Sequence, residues 1–276
     1  MRRRKIIQKE RTDGLACGTI QGGFGNQMFI IFTTYSYSLD NNLKPVIYCI
    51  ERRRKTYFDT PLYKQIMRSG PVGTKVYSEK NHHYDPIPIM KNIRLVGYFQ
   101  SPKYFDHNKK RITELLELDK LRVNIGKKHS QYLKNDIIIH FRLGDYNEHP
   151  FREVHPVCDI EYYVNALKNF DENSSVLCFF EEQDRATILT RISFFKEKFP
   201  KMTFNLIDTT IVDYEQVLLM SHFKNFVIAN SSFSWWGAYL SDYENKKVIY
   251  PSKWFKGRLG EEKKVHDMFF DDWIKI

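Results

Sequence analysis

Asp136-Ile137-Ile138-Ile139-His140-Phe141-Arg142-Leu143-Gly144-Asp145-Tyr146 is the stretch that decides the fold. Ile137 to Ile139 run without polar alternation, so they read as a strand buried on both faces, which implies a parallel sheet covered by helices. His140, Arg142 and Asp145 follow where that strand's carboxyl end opens, the place where ligands bind in open parallel sheets.

Working outward, strands and helices alternate along the whole chain. Leu15 to Ile20 reads as a strand followed by a Gly22-Gly23-Phe24-Gly25-Asn26-Gln27 turn and a helix over 26–39, with apolar residues Met28, Ile31, Phe32, Tyr35 and Leu39 at helical spacing. Strands are expected at 45–50 and 93–99, and a helix at 109–121, with weak helix or irregular chain at 57–68. The stretch with Gly70, Pro71, Gly73, Asn81, Pro86 and Pro88 reads as loops. After the central strand come helices at 159–170, 184–199, 213–221 and 233–240 and strands at 175–180, 203–207, 226–229 and 247–250. This alternation predicts an α/β chain with right-handed crossovers. The expected domains are 1–135 and 136–276.

At 276 residues, 42% of them hydrophobic, the chain can bury a substantial core. Lys and Arg number 43 against 33 Asp and Glu, a net charge of +10, which favours an anionic partner without choosing among phosphorylated ligands, membrane surfaces and nucleic acid. Arg2 to Lys5 and Arg52 to Lys55 would be the footprint of a nucleic-acid module, but no nucleic-acid motif accompanies them, and such runs are usually solvated faces. The expectation is therefore no nucleic-acid partner, with peripheral association to anionic membrane surfaces through Arg2 to Lys5. Cys17, Cys49, Cys158 and Cys178 are scattered, without metal-ligand spacing, which suits free thiols in a reducing compartment. No apolar stretch follows the basic start and no run reaches the roughly 18 apolar residues of a spanning helix. The expected place is the cytoplasm, soluble or peripheral.

A second motif, Asn230-Ser231-Ser232-Phe233-Ser234-Trp235-Trp236-Gly237, joins a strand to a helix. Free amides at a helix N-terminus, helped by small hydroxyls, make an anion site. The alternatives are that Ser231 or Ser232 is only an N-cap and that the tryptophans are core. Arg142 offers a planar fork for a diphosphate, unless it merely holds its loop by pairing with Asp145. The glycine turn at 22–27 lacks the G-x-G-x-x-G spacing and is weak alone; with the other motifs it reads as the opposite wall of a cleft.

These patterns resemble glycosyltransferase family 11, the α-1,2-fucosyltransferase family, in its soluble bacterial form. The resemblance rests on Gly22 to Phe29, Gly97-Tyr98-Phe99-Gln100-Ser101 with Lys103-Tyr104-Phe105, His140 to Tyr146, Asn230 to Gly237, and Val248-Ile249-Tyr250-Pro251-Ser252-Lys253-Trp254-Phe255. It implies a GT-B architecture of two Rossmann-like domains facing across a cleft, an acceptor-side domain first and a donor-binding domain second. It also implies GDP-fucose as donor, a galactose-like glycan acceptor, inversion at the anomeric carbon, and no cofactor or metal. By the same resemblance Arg142 contacts the diphosphate, His140 the nucleotide, and Ser231 and Ser232 the phosphates. Glu215, or alternatively Asp213, accepts from guanine, and Gly23, Gly25, Asn26 and Gln27 line the donor phosphates and acceptor. Asp145, then Glu153, then Glu148 are the candidates for general base. The acceptor pocket is sought at Tyr98, Gln100 and 81–84. Leu143 stands where many members have a second Arg, and Phe24 where Leu is common. Another nucleotide-activated deoxyhexose, or a non-catalytic sugar-binding role, remains open.

Overall fold

The computed structural model describes residues 14–49, 57–68, 70, 72, 75–147, 149–257, 260 and 265–276. The clusters Arg2 to Lys5 and Arg52 to Lys55, and Glu148, lie outside these residues.

Two wholly parallel sheets make the framework. The first holds β1 (Leu15–Ile20), β2 (Lys44–Cys49), β3 (Lys75–Ser78) and β4 (Ile93–Val96) in the order β2-β1-β4-β3. The second holds β5 (Ile137–His140), β6 (Ser175–Phe179), β7 (Thr203–Leu206), β8 (Asn225–Val227), β9 (Lys247–Tyr250) and β10 (Ile274–Lys275) in the order β10-β9-β8-β5-β6-β7. The helices are α1 (Phe24–Asp40), α2 (Lys109–Leu115), α3 (Leu118–Lys128), α4 (Ile160–Leu167), α5 (Arg185–Lys198), α6 (Asp213–Met220) and α7 (Ser232–Tyr239). The architecture is GT-B-like: two Rossmann-like sheets facing across a cleft. Among the described residues no helix is long and apolar enough to cross a membrane.

Ile137, Ile138 and Ile139 of β5 are fully buried, as a central parallel strand requires. Helix α1 departs from its expected one-sided stripe. Phe29, Ile30, Ile31 and Phe32 are all fully buried, because α1 packs on the first sheet with one face and on α7 of the second half with another. Phe29 and Phe32 meet Trp236 at ring separations of 5.0 and 4.6 Å, and Phe105 stacks on Trp236 at 5.5 Å. A single hydrophobic core therefore runs through both halves.

The helix expected over 109–121 is broken. Leu116 and Leu118 are both buried, yet residues two apart on one helix point to nearly opposite sides. Glu117 takes a left-handed φ of 52° and turns the chain, so that both leucines reach the core and α3 starts in a new direction. Strand β3 falls where loops are expected; it is an edge strand whose Val76 is half exposed, so it carries no buried pattern to read.

Candidate functional site

The carboxyl ends of a central strand pair in each sheet open on one cleft. In the second sheet β5 and β8 are neighbours from which the chain runs outward in opposite directions, and the 140–146 and 230–237 motifs follow their carboxyl ends. In the first sheet β1 and β4 are the two central neighbours, followed by Gly22 to Gln27 and by Gly97 to Gln100. Ligands in open parallel sheets bind outside the carboxyl ends of the strands, above all at a switch point such as β5/β8. The cavity there measures about 650 Å³ and is lined from both halves, a size within the roughly 300–1,000 Å³ of small-molecule sites.

Two helix N-termini reach this cleft. Ser231 is extended and caps α7, its Oγ accepting from the Phe233 amide at 3.3 Å. Gly23 is the N-cap of α1 and provides no side-chain cap, and a Cβ built on it would meet nothing within 4 Å. The helix starts at Phe24, two residues before the expected start, so Gly25, Asn26 and Gln27 belong to its first turn. The positive ends of both helix dipoles thus face one space, an arrangement suited to an anion.

Gly25 lines the cleft but has a packing duty. A Cβ there would sit 2.5 Å from the Ser232 carbonyl carbon, and the Gly25 carbonyl accepts from Trp236 Nε1 at 2.8 Å. Asn26 Oδ1 accepts from Gln100 Nε2 at 2.7 Å and from Ser232 Oγ at 3.0 Å. Gln27 is buried; its Nε2 donates to Gly22 O at 3.2 Å and supports the turn from behind rather than lining the cleft.

His140 is buried, with Nδ1 2.9 Å from Ser234 Oγ and its ring against Phe233. Burial, and then the nearby Arg142 charge, lower its pKa to about 3, so it enters any hydrogen bond as a neutral imidazole. Arg142 donates to Glu181 through Nη1 and to Asp145 Oδ1 through Nη2, the latter at 2.6 Å, with the guanidinium over the Tyr146 ring. Burial opposes its charge, but Glu181 and Asp145 more than offset this and move its pKa up. The guanidinium stays charged at the cleft wall between two carboxylates. Glu181 escaped the sequence reading because it lies 39 residues beyond Arg142, on the loop after β6.

Helix α6 carries both acidic candidates and turns them to different sides. Asp213 and Gln216, three residues apart, line the cleft on one face of the helix, and Tyr57 donates its hydroxyl to Asp213. Glu215, two residues on from Asp213, points the other way. Its carboxylate accepts from Lys128 Nζ at 2.9 and 2.8 Å and from His129 Nε2 at 2.8 Å, and it is not part of the cleft wall. Burial raises its pKa, but the His129 and Lys128 hydrogen bonds prevail and lower it. Glu153 also stays outside the cleft, exposed and paired with Arg152 at 3.1 Å, whereas Asp145 lines it.

The rest of the wall is aromatic. Tyr146 stacks on His155 at 4.4 Å, His155 packs on Phe255, and Phe255 on His82 beside Tyr98. Among these, Tyr98, His82 and Phe255 belong to stretches the sequence singles out; Tyr57, Phe180 and His155 carry no local pattern and are brought in by the fold. Among the described residues no group of three His, Cys, Asp or Glu side chains is arranged to hold a metal ion.

The family model described as "Glycosyl transferase family 11" matches residues 73–276. An alpha-1,2-colitosyltransferase of Escherichia coli is 29% identical over 192 residues, 67% of this chain; the chain spans 63% of that enzyme's length. The O-antigen biosynthesis glycosyltransferase WbnK of Escherichia coli is 27% identical over 311 residues, covering 93% of this chain and 99% of its own. Among solved structures, the ADP-heptose LPS heptosyltransferase II of E. coli aligns with a TM-score of 0.50 at 9% identity, over 95% of this chain and 89% of that one, a likeness of fold alone.

Proposed function

The chain belongs to glycosyl transferase family 11, and from that premise we propose that it is an inverting transferase moving fucose from GDP-fucose to a galactose-like hydroxyl in α-1,2 linkage. The observation that carries this reading is the convergence of Arg142 and the N-termini of α1 and α7 on one cleft. A diphosphate leaving group gathers negative charge as the glycosidic bond breaks, and preorganised donors of this kind stabilise that charge. Residues 136–276 would take the donor and residues 1–135 the acceptor.

In this reading Asp213 accepts from guanine N–H groups, with Phe24, Phe233 and Tyr57 around the base. His140 supplies a neutral hydrogen-bonding edge to the nucleotide. Asp145 stands as general base, since it lines the cleft and Glu153 does not. Tyr98, Gln100 and His82 face the acceptor. No cofactor or metal takes part, because Arg142 and the helix amides perform the neutralisation; turnover should therefore persist in EDTA, and a rate that collapses there and returns with Mn²⁺ would count against the site. Peripheral docking on anionic membranes through Arg2 to Lys5 belongs to the same proposal and would be released by salt.

A second reading keeps the α-1,2 linkage but changes the sugar, and the likeness to an alpha-1,2-colitosyltransferase favours it. Calorimetry with GDP, UDP and dTDP, followed by transfer assays with GDP-fucose, GDP-mannose and other GDP-deoxyhexoses, tests both. Tight GDP binding with transfer from GDP-fucose is expected; binding of UDP in preference to GDP would overturn the donor assignment.

A further inference from the structure

A serine hydroxyl has one proton to donate, and a carboxamide oxygen can only accept. Ser232 Oγ donates to Asn26 Oδ1 at 3.0 Å, so its proton is already engaged across the cleft, on the opposite half of the molecule. Gln100 Nε2 reaches the same oxygen at 2.7 Å from the loop after β4. Two donors on one oxygen leave the Asn26 amide a single orientation, with Nδ2 turned away from both. Nδ2 stands over Gly22, 2.5 Å from where a Cβ on that residue would be. Gly22 has a left-handed φ of 73°, and its missing side chain makes the room. Asn26, Gly22 and Gln100 all line the cleft on its first-half wall.

We propose that Ser232 is a positioning residue for the acceptor rather than a phosphate ligand: its hydroxyl, with Gln100, locks the Asn26 carboxamide so that Nδ2 is a fixed hydrogen-bond donor to an acceptor-sugar hydroxyl. The inference rests on the glycosyltransferase reading above. The phosphates then meet the α7 backbone amides, while the serine beside them works through Asn26 on the other substrate. One residue thereby ties the donor helix to the acceptor wall.

Three variants test it, Ser232→Ala, Gln100→Ala and their double, each checked for a wild-type melting curve. GDP affinity is read by calorimetry, and acceptor affinity by titrating a galactose-terminated disaccharide with GDP present, alongside kcat and KM. Each single change should weaken the acceptor by about tenfold while GDP affinity stays within about twofold. The double should lose less than the product of the two, because both act on Asn26. A Ser232→Ala protein that loses GDP affinity with the acceptor unaffected would make the serine a phosphate ligand and overturn the proposal. Unchanged acceptor affinity in Gln100→Ala would overturn it as well, and this variant leaves the α7 sequence itself intact if Ser232→Ala fails to fold. If the wild type prefers UDP to GDP, the donor assignment fails alone, and the same comparison is run with UDP.

Discussion

Trp236 donates its indole N–H to the carbonyl of Gly25 at 2.8 Å, across 211 residues of sequence. That contact brings the first turn of α1 against the first turn of α7, and it explains why a residue without a side chain is needed at 25. The obstacle to a Cβ there is the backbone of Ser232, which no rotamer change removes.

Gly25→Ala should therefore lower the melting temperature by several degrees and remove most of the activity, as overpacking typically costs about 1–3 kcal/mol. Gly23→Ala is the matched control, since its Cβ would enter open space. It should melt like the wild type. Equal melting curves for the two variants would refute the packing argument.

Arg142→Ala should lower the transfer rate by about 10²–10³, and Arg142→Lys should recover little, because an ammonium cannot reproduce the bidentate fork. Single-turnover rates with saturating donor measure this. Near wild-type turnover in the lysine variant would remove Arg142 from its assigned role.

Asp213→Asn and Glu215→Gln separate two carboxylates two residues apart. The first should weaken GDP by about tenfold in calorimetry without lowering the melting temperature, since it loses a charge-assisted acceptor in the cleft. The second should keep GDP affinity and lose stability, because it leaves Lys128 and His129 without their carboxylate. The reverse pattern would restore Glu215 as the base contact.

Asp145→Asn tests the general base. Since Asp145 also pairs with Arg142, a base role predicts kcat reduced by about 10²-fold with GDP affinity retained, whereas a merely structural role predicts that both fall together.

His140 makes stability depend on pH. Its pKa is about 3 in the folded protein against an ordinary 6.5, so the unfolded chain binds the extra proton between these values. The contribution is present above about pH 6.5 and is lost as pH falls, by up to about 1.4 kcal/mol per unit. Denaturant titrations at pH 7 and pH 5 should show a smaller decrease for His140→Gln than for the wild type. Parallel decreases would show that His140 takes up its proton without unfolding.

Much of the candidate site was legible before the fold because its signals are local. An all-isoleucine run at 137–139 leaves no face for solvent, so β5 had to be a central strand, and the ligand end of a parallel strand follows from chain direction alone. Ser231 ahead of α7 announces a helix start by the same local chemistry, through the hydrogen bond it accepts from Phe233. Which residue meets which partner was not local. Glu215 and Asp213 are equivalent acids in sequence, and only the seating of α6 against α3 sends one to Lys128 and the other to the cleft. The break at Glu117 arises because two leucines two residues apart must both reach the core. The partners of Arg142, Gly25 and Ser232 lie 39, 211 and 206 residues away. Periodicity and capping act over a few residues, whereas a hydrogen bond between α1 and α7 exists only once two sheets have closed on a common core. The sequence by itself therefore determined the alternation of strands and helices, the edge strands β3 and β10 apart, and the kind of ligand end each motif makes, while the tertiary structure decided how each side chain of those motifs is used.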